Sequence, residues 1–170
     1  MASGELKEPV PLLKTHRLDR FNCGNDQLNE YLARFALTNH QSGSARTYVA
    51  CRDKHVVGYY SLAFGSIEHQ ASTDRVRMGL PQHPIPIILL ARLAVDLSEQ
   101  GCGVGKGLLK DSLLRTLQAA DIGGLRAMVV HAKDKQATKF YEKFGFEASP
   151  IDKFHLMLLL KDIRQSVGSV

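Results

Sequence analysis

The chain has 170 residues, 44% of them hydrophobic, and its 22 lysines and arginines outnumber 17 acidic residues. This length supports one hydrophobic core, so we expect a single domain over residues 1–170. The chain has no long apolar run, leader-like start or Cys-x-x-Cys pair, which argues against a membrane protein, a secreted protein and a disulfide framework. Its seven histidines stand singly. We therefore expect a cytoplasmic protein without a metal site. Its net charge of +5 favours the binding of polyanions, but it does not distinguish a nucleic acid from a small anionic ligand.

The first predicted elements are a short strand at 9–14 and a helix from Asn25 to His40. Asn25 or Asp26 would cap this helix, because a short polar side chain accepts a hydrogen bond from the first helical turn. Apolar residues at 28, 31, 32 and 35 recur with helical spacing, which gives the helix one buried face.

Two strands are predicted next, at Thr47–Arg52 and Val56–Ile67, joined by a turn at residues 53–55. Residues 70–84 are mostly polar and contain two prolines, which is typical of an exposed loop.

A glycine-rich turn at Gly101–Gly107 joins an apolar strand at 85–95 to an amphipathic helix at 108–117. Alternate glycines leave backbone N–H groups uncovered at a helix N-terminus, which suits a phosphate or pyrophosphate. The P-loop pattern fails because position 100 is Gln, and the dinucleotide pattern fails because position 106 is Lys. The remaining pattern is Gln100-x-x-Gly103-x-Gly105. A purely structural turn that requires positive φ angles is the alternative interpretation.

A second strand and helix follow, with the strand at Leu125–His131 and a glycine stop at Gly145. A final strand is predicted at Phe154–Leu160, and a loose tail at about 165–170. The alternation of strands and helices indicates one α/β domain with a mixed, largely antiparallel sheet. The helix before Gly145 carries an apolar face made of Ala137, Phe140, Tyr141 and Phe144.

The glycine turn after a strand, and the later helix with Phe140-Tyr141 before Gly145-Phe146, resemble the GCN5-related N-acetyltransferases (GNAT). The resemblance implies a GNAT fold with helices on both faces of the sheet, and acetyl-CoA as cofactor. Tyr141 matches the tyrosine that protonates the departing CoA thiolate in many members, although an ordinary core tyrosine is the alternative. The cofactor-binding residues implied are Leu93, Ala94, Val95, Gln100, Gly101, Cys102, Gly103, Val104, Gly105, Lys106 and Phe140.

A narrower resemblance, covering about residues 12–161, is to the acetyltransferase toxins of type II toxin–antitoxin systems. It implies that the acceptor is the α-amino group of an aminoacyl-tRNA, whose acetylation blocks translation. It also implies a ribbon-helix-helix antitoxin and a homodimer as partners. Asp134 departs from the asparagine that many GNAT members carry near the cofactor. The motifs that carry the resemblance are Phe21–Gly24, Ser44–Val49, Leu90–Asp96, Val130–Lys133 and Ser149–Pro150.

Residues 93–95 could bind the pantetheine arm as an added strand, and a backbone N–H there could stabilise the oxyanion. No general base stands out among the residues. An α-amino group has a pKa of about 7.7–8.0, so it depends less on a general base than a lysine side chain does. His131 is either a base or, more simply, a hydrogen-bonded core histidine. Arg92 interrupts an apolar strand, so it either pairs with a carboxylate such as Asp96 or faces the substrate. The predicted substrate-binding residues are Arg46, Arg77, Arg92, Lys133 and Lys135, and Arg75 and Lys139 are further candidates. For each of these except Arg92, the alternative is an ordinary solvated surface charge.

Two other functions stay open at this point. One is an N-acetyltransferase for a small amine or a protein N-terminus, which would share every cofactor residue. The other is a non-catalytic module, either a CoA sensor or an RNA binder, which Tyr141 and the complete glycine turn disfavour.

Overall fold

A computed structural model describes residues 4–168. The chain divides into two compact units. The first contains the residues up to Ala63 together with Ala91–Ser112, and the second contains Phe64–Leu90 and the residues from Leu113 onward. The strands His55–Ile67 and Ile85–Val95 and the helix Val104–Ala120 each continue from one unit into the other. The expectation of one domain over residues 1–170 stays a prediction.

The first unit begins with the strand β1 and a helical run whose cap is Asn25, as predicted. The Asn25 side chain accepts a hydrogen bond from the Leu28 N–H at 3.0 Å, which satisfies one donor of the first turn. The elements that begin in this unit are β1 (Val10–Pro11), α1 (Asp26–Glu30), a π-helical segment (Tyr31–Phe35), α2 (Ala36–Ser42), β2 (Arg46–Arg52), β3 (His55–Ile67) and α4 (Val104–Ala120).

The second unit contains most of the C-terminal half of the chain. Its helix α5 is capped by Asp134, whose side chain accepts from the Ala137 N–H at 2.7 Å. Asp134 therefore has a structural role as the cap of this helix. The elements that begin in this unit are α3 (Asp74–Arg77), β4 (Ile85–Val95), β5 (Ala127–His131), α5 (Lys135–Glu142), β6 (Glu147–Ala148), β7 (His155–Leu159) and α6 (Leu160–Gly168).

Seven strands form a sheet in the order β1-β2-β3-β4-β5-β7-β6. β2 pairs with β3 antiparallel, with a register shift between Ala50 and Cys51. β4 and β5 are parallel, with Ile87 opposite Ala127, and β5 and β7 are antiparallel, with His131 opposite His155. The expectation of a mixed, largely antiparallel sheet is confirmed.

Each unit has its own apolar cluster. In the first, Leu32 and Ala36 of the helical run pack with Val49 of β2 and Tyr59 of β3. In the second, Val76 of α3 packs with residues of β4, β5 and β7, which include Ile87, Val129 and Met157. Burying these side chains supplies the main driving force for folding.

Two expectations about irregular segments were wrong. Residues 70–84 contain the helix α3, which Thr73 caps by accepting from the Val76 N–H, rather than only loop. Residues 165–168 belong to α6 rather than to a loose tail, because the buried Ile163 anchors that helix; residues 169–170 lie outside the described part. No helix within residues 4–168 is long and apolar enough to cross a membrane.

Candidate active site

The glycine turn presents free backbone donors at the start of α4. The Gly107 N–H donates to the Gly103 carbonyl at 3.0 Å, so Gly103 is the N-cap residue of this helix. The N–H groups of residues 104–106 then have no partner within the helix, and a glycine cap offers no side chain to cover them. Three uncovered donors at the positive end of a helix dipole form a site for a phosphate group.

Two glycines of this turn adopt conformations that other residues avoid. Gly101 has φ +79° and Gly103 has φ +87°, both in the left-handed region. A Cβ added to either would meet no atom within 4 Å, so no protein atom requires glycine there by contact. Gly58 of β3 differs, because its Cβ would lie 2.9 Å from Leu108 of α4. Gly101 and Gly103 therefore leave open space beside the turn, whereas Gly58 permits α4 to pack closely on β3.

The Gln100 side chain anchors the turn to the end of β4. Its amide nitrogen donates to the Val95 carbonyl at 3.0 Å and to the Cys23 carbonyl at 3.1 Å. Asp96 holds the same region, since it accepts from the Asn22 N–H at 2.8 Å. Gln100 thus uses the donors of its side-chain amide on the protein and positions the turn.

The other predicted cofactor residues of this unit differ in what they expose. The side chains of Ala94 and Val104 are buried, so only their backbone groups are available to a ligand. Cys102 and Lys106 are exposed on the turn, and the Cys102 thiol contacts the Gln100 carbonyl at 3.8 Å. Leu93 and Val95 are half-buried in β4, and Gly105 is half-buried in α4.

In the second unit, the ring of Tyr141 is held in an aromatic cluster. Its centroid lies 5.1 Å from that of Phe140 and 5.4 Å from that of Phe146, and the side chain is 6% exposed. Burial raises the pKa of the Tyr141 phenol above its usual range, so the group is neutral at pH 7. Its hydroxyl has no hydrogen-bond partner among residues 4–168. A fixed ring with an unused O–H is suited to donate to a ligand.

Arg92 makes a contact that the sequence did not indicate. Its guanidinium carbon lies 3.5 Å from the centroid of the Tyr31 ring, a cation–π contact. In the described part of the chain it forms no ion pair with Asp96, so that alternative was wrong. Tyr31 begins the π-helical segment, in which the Ala36 N–H donates to the carbonyl five residues earlier. Such segments frequently occur at functional sites, and this one leaves Phe35 47% exposed.

The remaining predicted substrate-binding cations fall into two groups. Arg46 donates to the His40 carbonyl at 3.1 Å, and Arg77 pairs with Asp74 on the same helix. Lys133 and Lys135 are exposed and form no ion pair within the described residues. Lys133 lies just before α5 and Lys135 is the first residue of that helix, which also carries Tyr141.

His131 is exposed, so the interpretation as a core histidine was wrong. Its ring stacks on that of His155 in the neighbouring strand, with centroids 3.8 Å apart and planes at 8°. Partial desolvation of the ring, together with the charge of His155, lowers the pKa of His131 from its usual value. The cross-strand register that creates this pair is a long-range feature and leaves no local sequence signal.

Comparison with known proteins adds to this geometry. Residues 43–148 match the model of the acetyltransferase (GNAT) domain. A tRNA-acetylating toxin of Mycobacterium tuberculosis is 51% identical over 148 residues, which cover 87% of this chain and 89% of that protein.

Two solved structures are also similar. AtaT complexed with acetyl-methionyl-tRNAfMet has a TM-score of 0.87 at 28% identity and covers 95% of this chain and 98% of its own. A tyrosine-to-phenylalanine mutant of AtaT, bound to the C-terminus of the antitoxin AtaR and acetyl-CoA, has a TM-score of 0.80 at 26% identity. It covers 95% of this chain and 97% of its own.

Proposed function

The chain belongs to the acetyltransferase (GNAT) family, and on that premise we propose that it acetylates the α-amino group of aminoacyl-tRNA and thereby blocks translation as a toxin. The observation that carries the proposal is the 51% identity with a tRNA-acetylating toxin over most of both chains. The acetyl donor is acetyl-CoA. An α-amine that carries an acetyl group cannot attack the ester of a peptidyl-tRNA, so the modified tRNA cannot take part in chain elongation.

We assign the binding of acetyl-CoA to the glycine turn and the end of β4. The N–H groups of residues 104–106 suit the pyrophosphate, and the open space beside Gly101 and Gly103 lets that group approach the backbone. Leu93, Ala94 and Val95 suit the pantetheine arm, which can add to a strand through backbone hydrogen bonds. Acetyl-CoA supplies an acetyl thioester that an amine can attack. A backbone N–H of residues 93–95 would donate to the carbonyl oxygen as negative charge develops there.

Tyr141 is the group we assign to the departing sulfur. Its phenol is neutral at pH 7 and its O–H has no partner among the described residues, so it holds a proton that sulfur can accept. The rings of Phe140 and Phe146 fix the direction of the hydroxyl, which lowers the entropy cost of positioning it.

The acceptor amine accounts for the lack of an obvious general base. An α-amino group has a pKa of about 7.7–8.0, so a substantial fraction is unprotonated at neutral pH, whereas lysine, at about 10.4, is almost entirely charged. An α-amine is therefore the acceptor that this set of residues serves best. Arg46, Arg77, Arg92, Lys133 and Lys135 are assigned to the RNA, with Arg92 held in place by Tyr31.

Three further parts of the proposal concern the protein's surroundings. We expect a ribbon-helix-helix antitoxin to bind this chain, since the similar AtaT toxin is seen with its antitoxin AtaR. We also expect a homodimer and a cytoplasmic location, where charged tRNA is found. Co-expression with the product of a neighbouring reading frame, followed by co-purification, tests the antitoxin.

The proposal is tested by offering one labelled donor to three acceptors. Labelled acetyl-CoA is incubated with charged tRNA, with the same tRNA after deacylation, and with total protein. We expect label only in the charged tRNA, and expression of the chain alone should arrest growth. Label in protein, with none in charged tRNA, would instead identify an N-acetyltransferase for a protein N-terminus, and label in none of the three would favour a small amine.

A further inference from the structure

A groove in the second unit carries a concentration of positive charge that the function above does not use. Its volume is about 560 Å³, and its walls come from α3, the start of β5, the end of β7 and α6. Leu125 and Leu159 are among the apolar residues that line it. Four cationic side chains also line it: Arg75, Arg126, Lys161 and Arg164. We name this feature the basic groove.

Two arginines of the basic groove are fixed by the protein itself. Arg126 donates to the carbonyls of Arg75, Val76 and Met78 at 2.8–3.3 Å, and its other terminal nitrogen has no acceptor among residues 4–168. Arg75 binds both oxygens of Asp162 and also Glu147. Arg126, which neutral carbonyls hold in place, loses little entropy when it binds an anion, whereas Arg75 is already paired with carboxylates.

The charge of the groove is only partly neutralised. Asp162 and Glu147 both pair with Arg75. Arg126 is bonded to neutral carbonyls, and the exposed Lys161 and Arg164 form no ion pair in the stretch from residue 4 to residue 168. The four cations therefore exceed the two carboxylates by two charges, and this excess around an apolar floor attracts a ligand that has both anionic and apolar parts.

The groove is distant from Tyr141 along the second unit. Arg126 precedes the first residue of β5, whereas α5, with Tyr141, follows the last residue of that strand. Five strand residues span about 17 Å. A ligand in the basic groove is therefore separate from the residue that serves the chemistry.

We propose that the basic groove binds the sugar-phosphate backbone of the tRNA substrate, at a position away from the aminoacyl end. The proposal rests on the proposed function, because only an RNA substrate carries further phosphates at such a distance from the reacting amine. The fixed guanidinium of Arg126 matches phosphate oxygens, and Leu125 and Leu159 offer apolar surface to a ribose or a base. A small amine has no part that would fill this groove.

Reversal of the two exposed charges tests the proposal. In Lys161→Glu with Arg164→Glu, we expect the Kd for tRNA to rise about tenfold and the salt dependence of log Kd to lose roughly one to two units of slope. The acetylation of charged tRNA should fall in parallel. Activity on a minimal aminoacyl ester without RNA should be retained, and this also shows that the variant is folded. Lys161→Gln with Arg164→Gln should change the Kd in the same direction by less.

The matched control is Arg20→Glu with Lys110→Glu, which changes the net charge equally at exposed positions outside the groove. We expect it to leave the Kd for tRNA within about twofold of the original, because long-range charge is screened. An equal loss in this control would overturn the proposal, as would an unchanged salt slope in the groove variant. The proposal would also be overturned if the groove variant lost binding to an acidic peptide and kept its affinity for tRNA. If the original chain fails to acetylate charged tRNA at all, the proposed function fails instead.

Discussion

The glycine turn and the Tyr141 cluster, to which we assign acetyl-CoA binding and proton transfer, offer opposite kinds of group to a ligand. The turn offers backbone N–H groups at the start of α4, positioned by left-handed glycines and anchored by Gln100, so no side chain is needed at the contact. The Tyr141 cluster offers one side-chain oxygen on a ring that neighbouring aromatic residues hold. The first arrangement suits binding, whereas the second suits the movement of a proton.

Mutations in the two regions should therefore change different kinetic and binding constants. Damage at the turn should reduce affinity for acetyl-CoA and leave the chemical step able to proceed at saturation. Damage at Tyr141 should reduce turnover and leave affinity unchanged, because the hydroxyl is useful only as the C–S bond breaks.

The largest effect is expected from Tyr141→Phe. This variant keeps the ring and its packing but removes the proton donor, so kcat should fall about 10²–10⁴-fold. The Kd for acetyl-CoA and the Tm should stay near their original values, as measured by calorimetry and thermal unfolding. Turnover close to the original would make Tyr141 an ordinary core residue.

The next effect is expected from Gly103→Val. A side chain there strains a left-handed backbone and blocks the approach of the pyrophosphate, so the Kd for acetyl-CoA should rise roughly ten- to a hundredfold, as expected when one or two hydrogen bonds to a charged group are lost. Gly43→Val is the control, because Gly43 has φ +81° and equally open space but lies at the end of α2. Both variants should lose similar stability. Equal affinity in the two would mean that the turn is merely structural.

A smaller effect is expected at the lysines beside Tyr141. Lys135→Glu with Lys139→Glu should lower kcat/KM on charged tRNA about tenfold and reduce the salt slope, since each lost phosphate contact removes counterion release. A minimal aminoacyl ester should be acetylated at the original rate. Parallel losses on both substrates would point to damage at the chemical site instead.

The smallest effect concerns the stacked histidines. The pKa of His131 is lowered in the folded protein, so the unfolded chain binds more protons below its usual pKa of about 6.5, and stability falls as the pH decreases through that value. In His131→Gln, the loss of Tm between pH 7.5 and 5.5 should shrink by about 1–3 °C. An unchanged pH profile would show that the stacking does not affect protonation.

Local sequence patterns predicted the regular elements well. β4 is an apolar run and spans Ile85–Val95 as expected, and Gly145, at φ +91°, lies beyond the end of α5 as a C-terminal stop. The positive φ angles of Gly101 and Gly103 agree with the turn that their spacing indicated. These features depend on residues close together in the chain.

Features that depend on distant residues were not predictable in this way. The partner of Arg92 is Tyr31, sixty-one positions earlier, and the choice of an aromatic ring over Asp96 follows from how the π-helical segment and the end of β4 fold in the first unit. The charge of the basic groove comes from three separate segments of the second unit. The π-helical segment has the same apolar spacing as an α-helix, so periodicity alone cannot distinguish the two.

The most direct test of the account is to identify the acetylated atom. Charged tRNA is treated with acetyl-CoA and the protein, digested with nuclease, and its aminoacyl-adenosine is analysed by mass spectrometry, with Tyr141→Phe as the control. The account predicts an acetyl group on the α-nitrogen with the original protein and almost none with the variant. An acetyl group on the nucleotide, or an aminoacyl-adenosine that stays unmodified while another amine is acetylated, would contradict it.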